Sequence, residues 1–126
     1  YGAIKIFFTH ENHDKLVAVR DLILEQHPET FNHAFSLPIC LEFMDKNVDK
    51  SHAIAKILEI ENLDFMHAVS FGDGFNDELM LVNTGKGLIM GNAPETLKNK
   101  LSHLEVIATN HEDGVAKYLS ETILNY

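Results

Sequence analysis

The stretch Gly72-Asp73-Gly74-Phe75-Asn76-Asp77-Glu78 concentrates carboxylates, an amide and two glycines in one short segment. Before it, Met66-His67-Ala68-Val69-Ser70-Phe71 is short, largely apolar and free of Gly and Pro, which reads as a buried strand. After it come Leu79, Met80, Leu81 and Val82, with Asn76 as a candidate N-cap, so a helix is expected over 76–83. A carboxylate in the turn between them stands at the carboxyl end of a strand, where open α/β sheets bind their ligands. Mg²⁺ takes few protein carboxylates and fills its other positions with water and substrate phosphate, and Asp73 suits that role. The same residues also suit plain architecture. Acidic side chains at a helix start stabilise the positive end of its dipole, and Gly-Asp-Gly is a turn sequence.

Lys50 is the second candidate. It falls in the first turn of an expected helix, where a cation opposes the dipole. Local rules are broken most often at functional sites, so Lys50 reads either as a phosphate-binding lysine or as an exposed one offset by Asp49. Asn92, in Met90-Gly91-Asn92-Ala93-Pro94, ends a later strand on the same sheet edge as Asp73. It reads as a helix cap or as a polar wall of a site. The eight histidines show no zinc-ligand spacing on a common helix and are expected to be solvent-facing or structural. Cys40, the one cysteine, lies in an apolar stretch and reads as an inert thiol. Neither a Gly-x-Ser-x-Gly elbow nor a Walker loop occurs.

The elements that must position these residues follow from periodicity. Residues 3–8 alternate, with Ile4, Ile6 and Phe8 on one face of an expected strand. A helix follows from about Asn12, carrying Leu16, Val19, Leu22 and Ile23 at helical spacing and stopped by Pro28. Strands are expected over 33–37 and 39–44, and the polar run 45–49 reads as a linker. A helix then starts around Lys50 with Ala53, Ile54, Ile57 and Leu58 as its apolar stripe, closed by Asn62. Strands over 66–71, 86–90 and 104–108 alternate with helices over 76–83, 94–101 and 112–124. Such alternation implies parallel strands joined by helical crossovers, an α/β fold.

Composition narrows the class of partner. The chain has 126 residues, is 45% hydrophobic and carries a net charge of −9 without any basic stripe, which disfavours nucleic acid and anionic membrane. No apolar run approaches the ~20 residues of a membrane span, and a cytoplasmic setting is expected.

Lys50, the Gly72–Asp77 block, Met90-Gly91-Asn92-Ala93 and Glu112-Asp113-Gly114-Val115-Ala116 form an ordered set. Together they resemble the C-terminal half of a Cof-type phosphatase of the haloacid dehalogenase (HAD)-like superfamily. The resemblance implies a Rossmann-like three-layer core, present as its C-terminal half over 45–126, with residues 1–44 as the closing part of an α/β cap. It implies an Mg²⁺-dependent phosphomonoester hydrolase acting on a small phosphorylated metabolite. Carried over by position, Lys50 and Asn76 contact the transferring phosphoryl group. Asp73 binds Mg²⁺ and acts in catalysis, and Asp77 supports the metal site or joins it.

The family's Asp-x-Asp-Gly nucleophile motif and its Thr or Ser motif do not occur here. The chain, opening almost directly on a strand, therefore reads as a piece of a longer phosphatase, inactive alone. Its partner would be the N-terminal half of the same protein, and an unpaired sheet edge would favour self-association. Two other readings stand beside this one: a relative of the phosphorylation domain of P-type pumps, and a non-catalytic α/β binding module that kept the fold.

Overall fold

A computed structural model describes residues 4–124. Ala3, the first residue of the expected first strand, lies outside the described residues. Two three-stranded sheets divide the chain. The first is antiparallel, in the order β1-β3-β2, from β1 (Lys5–Thr9), β2 (Phe31–Leu37) and β3 (Cys40–Asp45). The second is parallel, in the order β4-β5-β6, from β4 (Val69–Gly72), β5 (Lys86–Ile89) and β6 (Glu105–Val106).

The antiparallel sheet carries α1 (His13–Gln26) on one face. Asn12 caps that helix by accepting the Asp14 amide at 2.9 Å, satisfying one of the orphan donors of the first turn. Leu41 and Phe43 of β3 point into the cluster with Leu16, joined by Phe8, Val19, Ile23 and Phe31. Period-two alternation sends the neighbours Glu42 and Met44 to the opposite face, which looks toward the rest of the chain. Along β1 only Phe8 packs into the core; Ile4 and Ile6 are exposed, although Ile6 lies opposite Phe43.

The parallel sheet is built as the alternating pattern implies, with shifted boundaries. A single turn of 3-10 helix, Phe65–His67, replaces the first half of the expected strand 66–71. Asp64 caps that turn through the Met66 amide at 3.0 Å and leaves Met66 on the surface. A second 3-10 turn, Phe75–Asp77, precedes α3 (Glu78–Asn83), so Asn76 lies inside a turn and is not the cap of the helix. α2 (Lys50–Ile60) does start at Lys50, with Asp49 as its N-cap. Its inward stripe is rotated from the expected one: Ser51, Ile54, Ala55 and Leu58 are covered, while Ala53 and Ile57 are exposed. The core around β5 comprises Leu81, Ile89, Ala93, Leu97 and Leu101, the last two from and just beyond α4 (Glu95–Lys100). The expected final helix splits into a 3-10 turn Asn110–Glu112, α5 (Gly114–Tyr118) and a π-helical stretch Leu119–Leu124.

Two glycines let the backbone close up around β4 and β5. A Cβ on Gly87 would stand 1.9 Å from the Leu81 carbonyl oxygen, so α3 could not pack on β5 as it does. A Cβ on Gly72 would stand 2.5 Å from Cβ of Asp77, and it is this vacancy that seats the Asp77 side chain beneath the loop.

Candidate active site

The loop after β4 is organised by a side chain from its own far end. Asp77 is almost fully buried, and its Oδ2 accepts the backbone amides of Asp73 and Gly74, both at 3.1 Å. Its Oδ1 receives the Lys50 ammonium, which reaches across from the first turn of α2. The carboxylate therefore pins the acidic turn and fixes the lysine head in one place. The position of Lys50 at a helix start is also explained. Its charge is met by Asp77, and the helix end is capped by Asp49, which accepts the His52 amide at 2.8 Å. Burial alone would raise the Asp49 carboxyl, but hydrogen bonds from the His52 amide and ring outweigh it and hold the group below its ordinary value.

Asp73, by contrast, is exposed at the carboxyl end of β4. Its Oδ2 accepts Nδ2 of Asn92 at 2.8 Å. Asn92 in turn accepts the Asn110 amide through its Oδ1 at 3.0 Å, so it bridges the loops after β4, β5 and β6. It does not cap α4, whose N-cap position is Pro94. Asn76 is exposed between Asp73 and Asp77, on the wall of the cleft.

Lys50, Asp73, Asn76, Asp77 and Asn92, spread over 43 positions of sequence from 50 to 92, thus converge on one edge of the parallel sheet. Two clefts open there under the antiparallel sheet. One, of about 610 Å³, lies between the β2–β3 hairpin and the acidic loop, with Ser36 and Pro38 facing Asp73, Asn76 and Asn92. The other, of about 590 Å³, runs from Lys5, Asn32 and Glu42 on the open sheet face to Lys50 and Asn76. A hydrogen bond from Lys5, with a second from Ser36, holds the Glu42 carboxyl below its ordinary value there. Phe75, about half exposed, lines both clefts.

Among the described residues, no group of three or more His, Cys, Asp or Glu side chains is arranged to hold a metal ion by itself. That donor set still suits Mg²⁺, which commonly takes one or two carboxylates and leaves the rest of its shell to water and phosphate oxygens. Asp73 is the exposed carboxylate of the set, with one oxygen free of protein partners among the described residues. Asp77 has both oxygens engaged.

Sequence reasoning did not single out Ser36 or Phe75 as site residues, and it counted His13 among the solvent-facing or structural histidines. His13 and Ser36 reach the site only because the β2–β3 hairpin folds over the acidic loop, a contact that no local spacing encodes. Two other histidines pair locally: His52 with Asp49 and His67 with Asp64. No helix among the described residues is long and apolar enough to cross a membrane.

A protein of Buchnera aphidicola subsp. Baizongia pistaciae, named provisionally as a phosphatase, is 40% identical over 117 residues, which cover 93% of this chain and 44% of that protein. The HMP-PP phosphatase of Yersinia pseudotuberculosis is 34% identical over 108 residues, covering 86% of this chain and 40% of the relative. Among solved structures, a haloacid dehalogenase-like hydrolase from B. subtilis superposes with a TM-score of 0.81 at 28% identity, over 95% of this chain and 40% of that one. The chain thus spans less than half the length of the relatives it matches. The profile of the haloacid dehalogenase-like hydrolases matches residues 2–119, and the chain belongs to that family.

Proposed function

We propose that this chain is the phosphate- and metal-binding half of an Mg²⁺-dependent phosphatase for a small phosphorylated metabolite. The observation that carries the reading is the network Lys50–Asp77–Asp73–Asn92, which sets a cation and an open carboxylate side by side beneath a cleft. Lys50 and the Asn76 amide supply donors to phosphate oxygens. Asp77 keeps Lys50 and the turn in register without needing to touch a ligand. Asp73 holds Mg²⁺, and the Asn92 amide fixes the orientation of its carboxylate. Bound Mg²⁺ neutralises charge on the phosphoryl oxygens as the ester bond breaks. Preorganised charges of this kind contribute most when they are fixed before reaction, and the buried Asp77 anchor provides that fixing.

The nucleophile is absent from the chain's motifs, and we assign it to the portion of the relatives that this chain does not span. The parallel sheet has room for it. β4 is an edge strand, and its Val69 leaves apolar surface open there. A further core strand paired with β4 would end beside Asp73 and Lys50. In this reading residues 1–44 are the cap and residues 45–126 the core, with substrate between them.

The test is Mg²⁺-dependent binding of inorganic phosphate to the chain, followed by phosphorus NMR. Binding should require Mg²⁺ in the wild type and should lose that dependence in Asp73→Asn. In the enzyme completed with its other half, Asp73→Asn should abolish Mg²⁺-dependent turnover. Retained turnover would overturn the assignment of Asp73.

A further inference from the structure

The cleft over the acidic loop has a polar wall on the hairpin side that the phosphate chemistry does not use. We propose that His13 is a specificity residue, whose Nε2 accepts a hydrogen bond from a hydroxyl or amine of the ester's leaving group. The inference rests on the phosphatase reading and adds the class of leaving group to it.

His13 is the first residue of α1. Nδ1 of His13 lies 2.8 Å from the carbonyl oxygen of Pro38. A carbonyl oxygen only accepts, so the hydrogen of the neutral ring sits on Nδ1 and the lone pair on Nε2. Nε2 has no hydrogen-bond partner among the described residues. The ring leans on Phe35, with centroids 4.6 Å apart and planes at 52°, so its orientation is held from two directions. His13 and Pro38 belong to different elements, separated by 25 residues, unlike the local pairs of His52 and His67.

The placement sets the selectivity. His13 lines the same cleft as Asp73, Asn76 and Asn92, but from the opposite wall. A neutral acceptor repels phosphate oxygens and attracts O–H and N–H groups. It therefore favours the orientation in which phosphate faces the core loops and a hydrogen-bond-donating leaving group faces the hairpin. An ester whose leaving group lacks donors leaves Nε2 desolvated and unpaired in that cleft, which weakens binding.

The experiment compares two phosphomonoesters on six-membered rings, glucose 6-phosphate and the hydroxyl-free cyclohexylmethyl phosphate, titrated into the chain with Mg²⁺ and followed by NMR. His13→Ala should weaken glucose 6-phosphate by roughly three- to tenfold, the scale of one hydrogen bond, and should tighten cyclohexylmethyl phosphate, which no longer strands Nε2. His13→Gln, whose side-chain oxygen can reach the Nε2 position, should restore part of the loss. In the wild type, the His13 Nε2 resonance should move with the sugar ester and not with the carbocyclic one. Equal weakening of both esters would make His13 a structural clamp on Pro38 and overturn the inference alone. Failure of the wild-type chain to bind either ester would overturn the phosphatase reading and the inference together.

Discussion

The Lys50 ammonium and the Asp77 carboxylate meet across 27 positions of sequence, one at the start of a helix and the other buried under the acidic turn. The pair joins two elements that form separately, and each side chain is fixed by the other. Because Asp77 also accepts two amides of the turn, it carries more of the structure than Lys50 does.

Unequal costs follow for the two partners. Asp77→Asn turns an N–H group toward Lys50 or toward the turn amides, and should cost about 2–3 kcal/mol of unfolding free energy. Lys50→Met leaves the carboxylate with its two amide partners, and half of the lysine side chain is in solvent, so about 1 kcal/mol is expected. Urea denaturation of the two variants measures the difference. Equal costs would mean that the amide contacts add nothing.

Gly72→Ala should be destabilising although it adds a single methyl group. The new Cβ would meet Cβ of Asp77 at 2.5 Å, and neither atom is at the end of a flexible side chain. The turn has to open, at a cost of about 1–3 kcal/mol, with Lys50 released as a consequence. The phosphate affinity of the folded variant should drop along with its stability. Unchanged affinity would separate the turn from the site.

His33 should make the chain sensitive to mild acid. It packs against Phe43 at 5.9 Å, and desolvation, aided by the Arg20 charge, lowers its pKa from the ordinary value of 6.5, against a smaller opposing effect of Asp21. The unfolded chain therefore binds the proton first. The stability contributed by neutral His33 is present above pH 6.5 and is lost as pH falls through the lower folded value. Thermal midpoints measured from about pH 7.5 to about pH 5 should decline for the wild type and decline less for His33→Gln. The carboxylates held below their ordinary values, such as Glu42 and Asp49, lose their contribution only at more acid pH. An identical decline in the variant would assign the effect elsewhere.

The chain alone should not hydrolyse phosphate esters. Positioned nucleophilic attack supplies a large part of the barrier reduction; in the proposed reading Asp73 is taken up by the metal, and Asp77 is buried and paired. An aryl phosphate assay with Mg²⁺, run with and without the separately made remaining half, checks this. Robust turnover by the 126-residue chain itself would refute the split between nucleophile and metal halves.

The sequence by itself determined the alternation of strands and helices after residue 50, the start of α2 at Lys50 and the acidic turn after β4. These depend on periodicity, capping residues and glycine, all of which act within a few positions. It also carried the family, because Lys50, the Gly72–Asp77 block and the turn at Asn92 keep a fixed order along the chain. Tertiary structure decided what each of these residues touches. Asn92 could have capped a helix, and it orients Asp73 instead; Asp77 could have faced solvent, and it became the buried joint of the loop. His13 read as one more solvent-facing or structural histidine, and only the fold brings it against Pro38 and into the cleft over the acidic loop. In α2, Ile54 and Leu58 of the expected stripe are covered, and the covered face also takes in Ser51, which accepts a hydrogen bond from Asn83 at 2.8 Å, a contact 32 positions away. Contacts between residues tens of positions apart depend on how whole elements pack, and a local pattern holds no record of that packing.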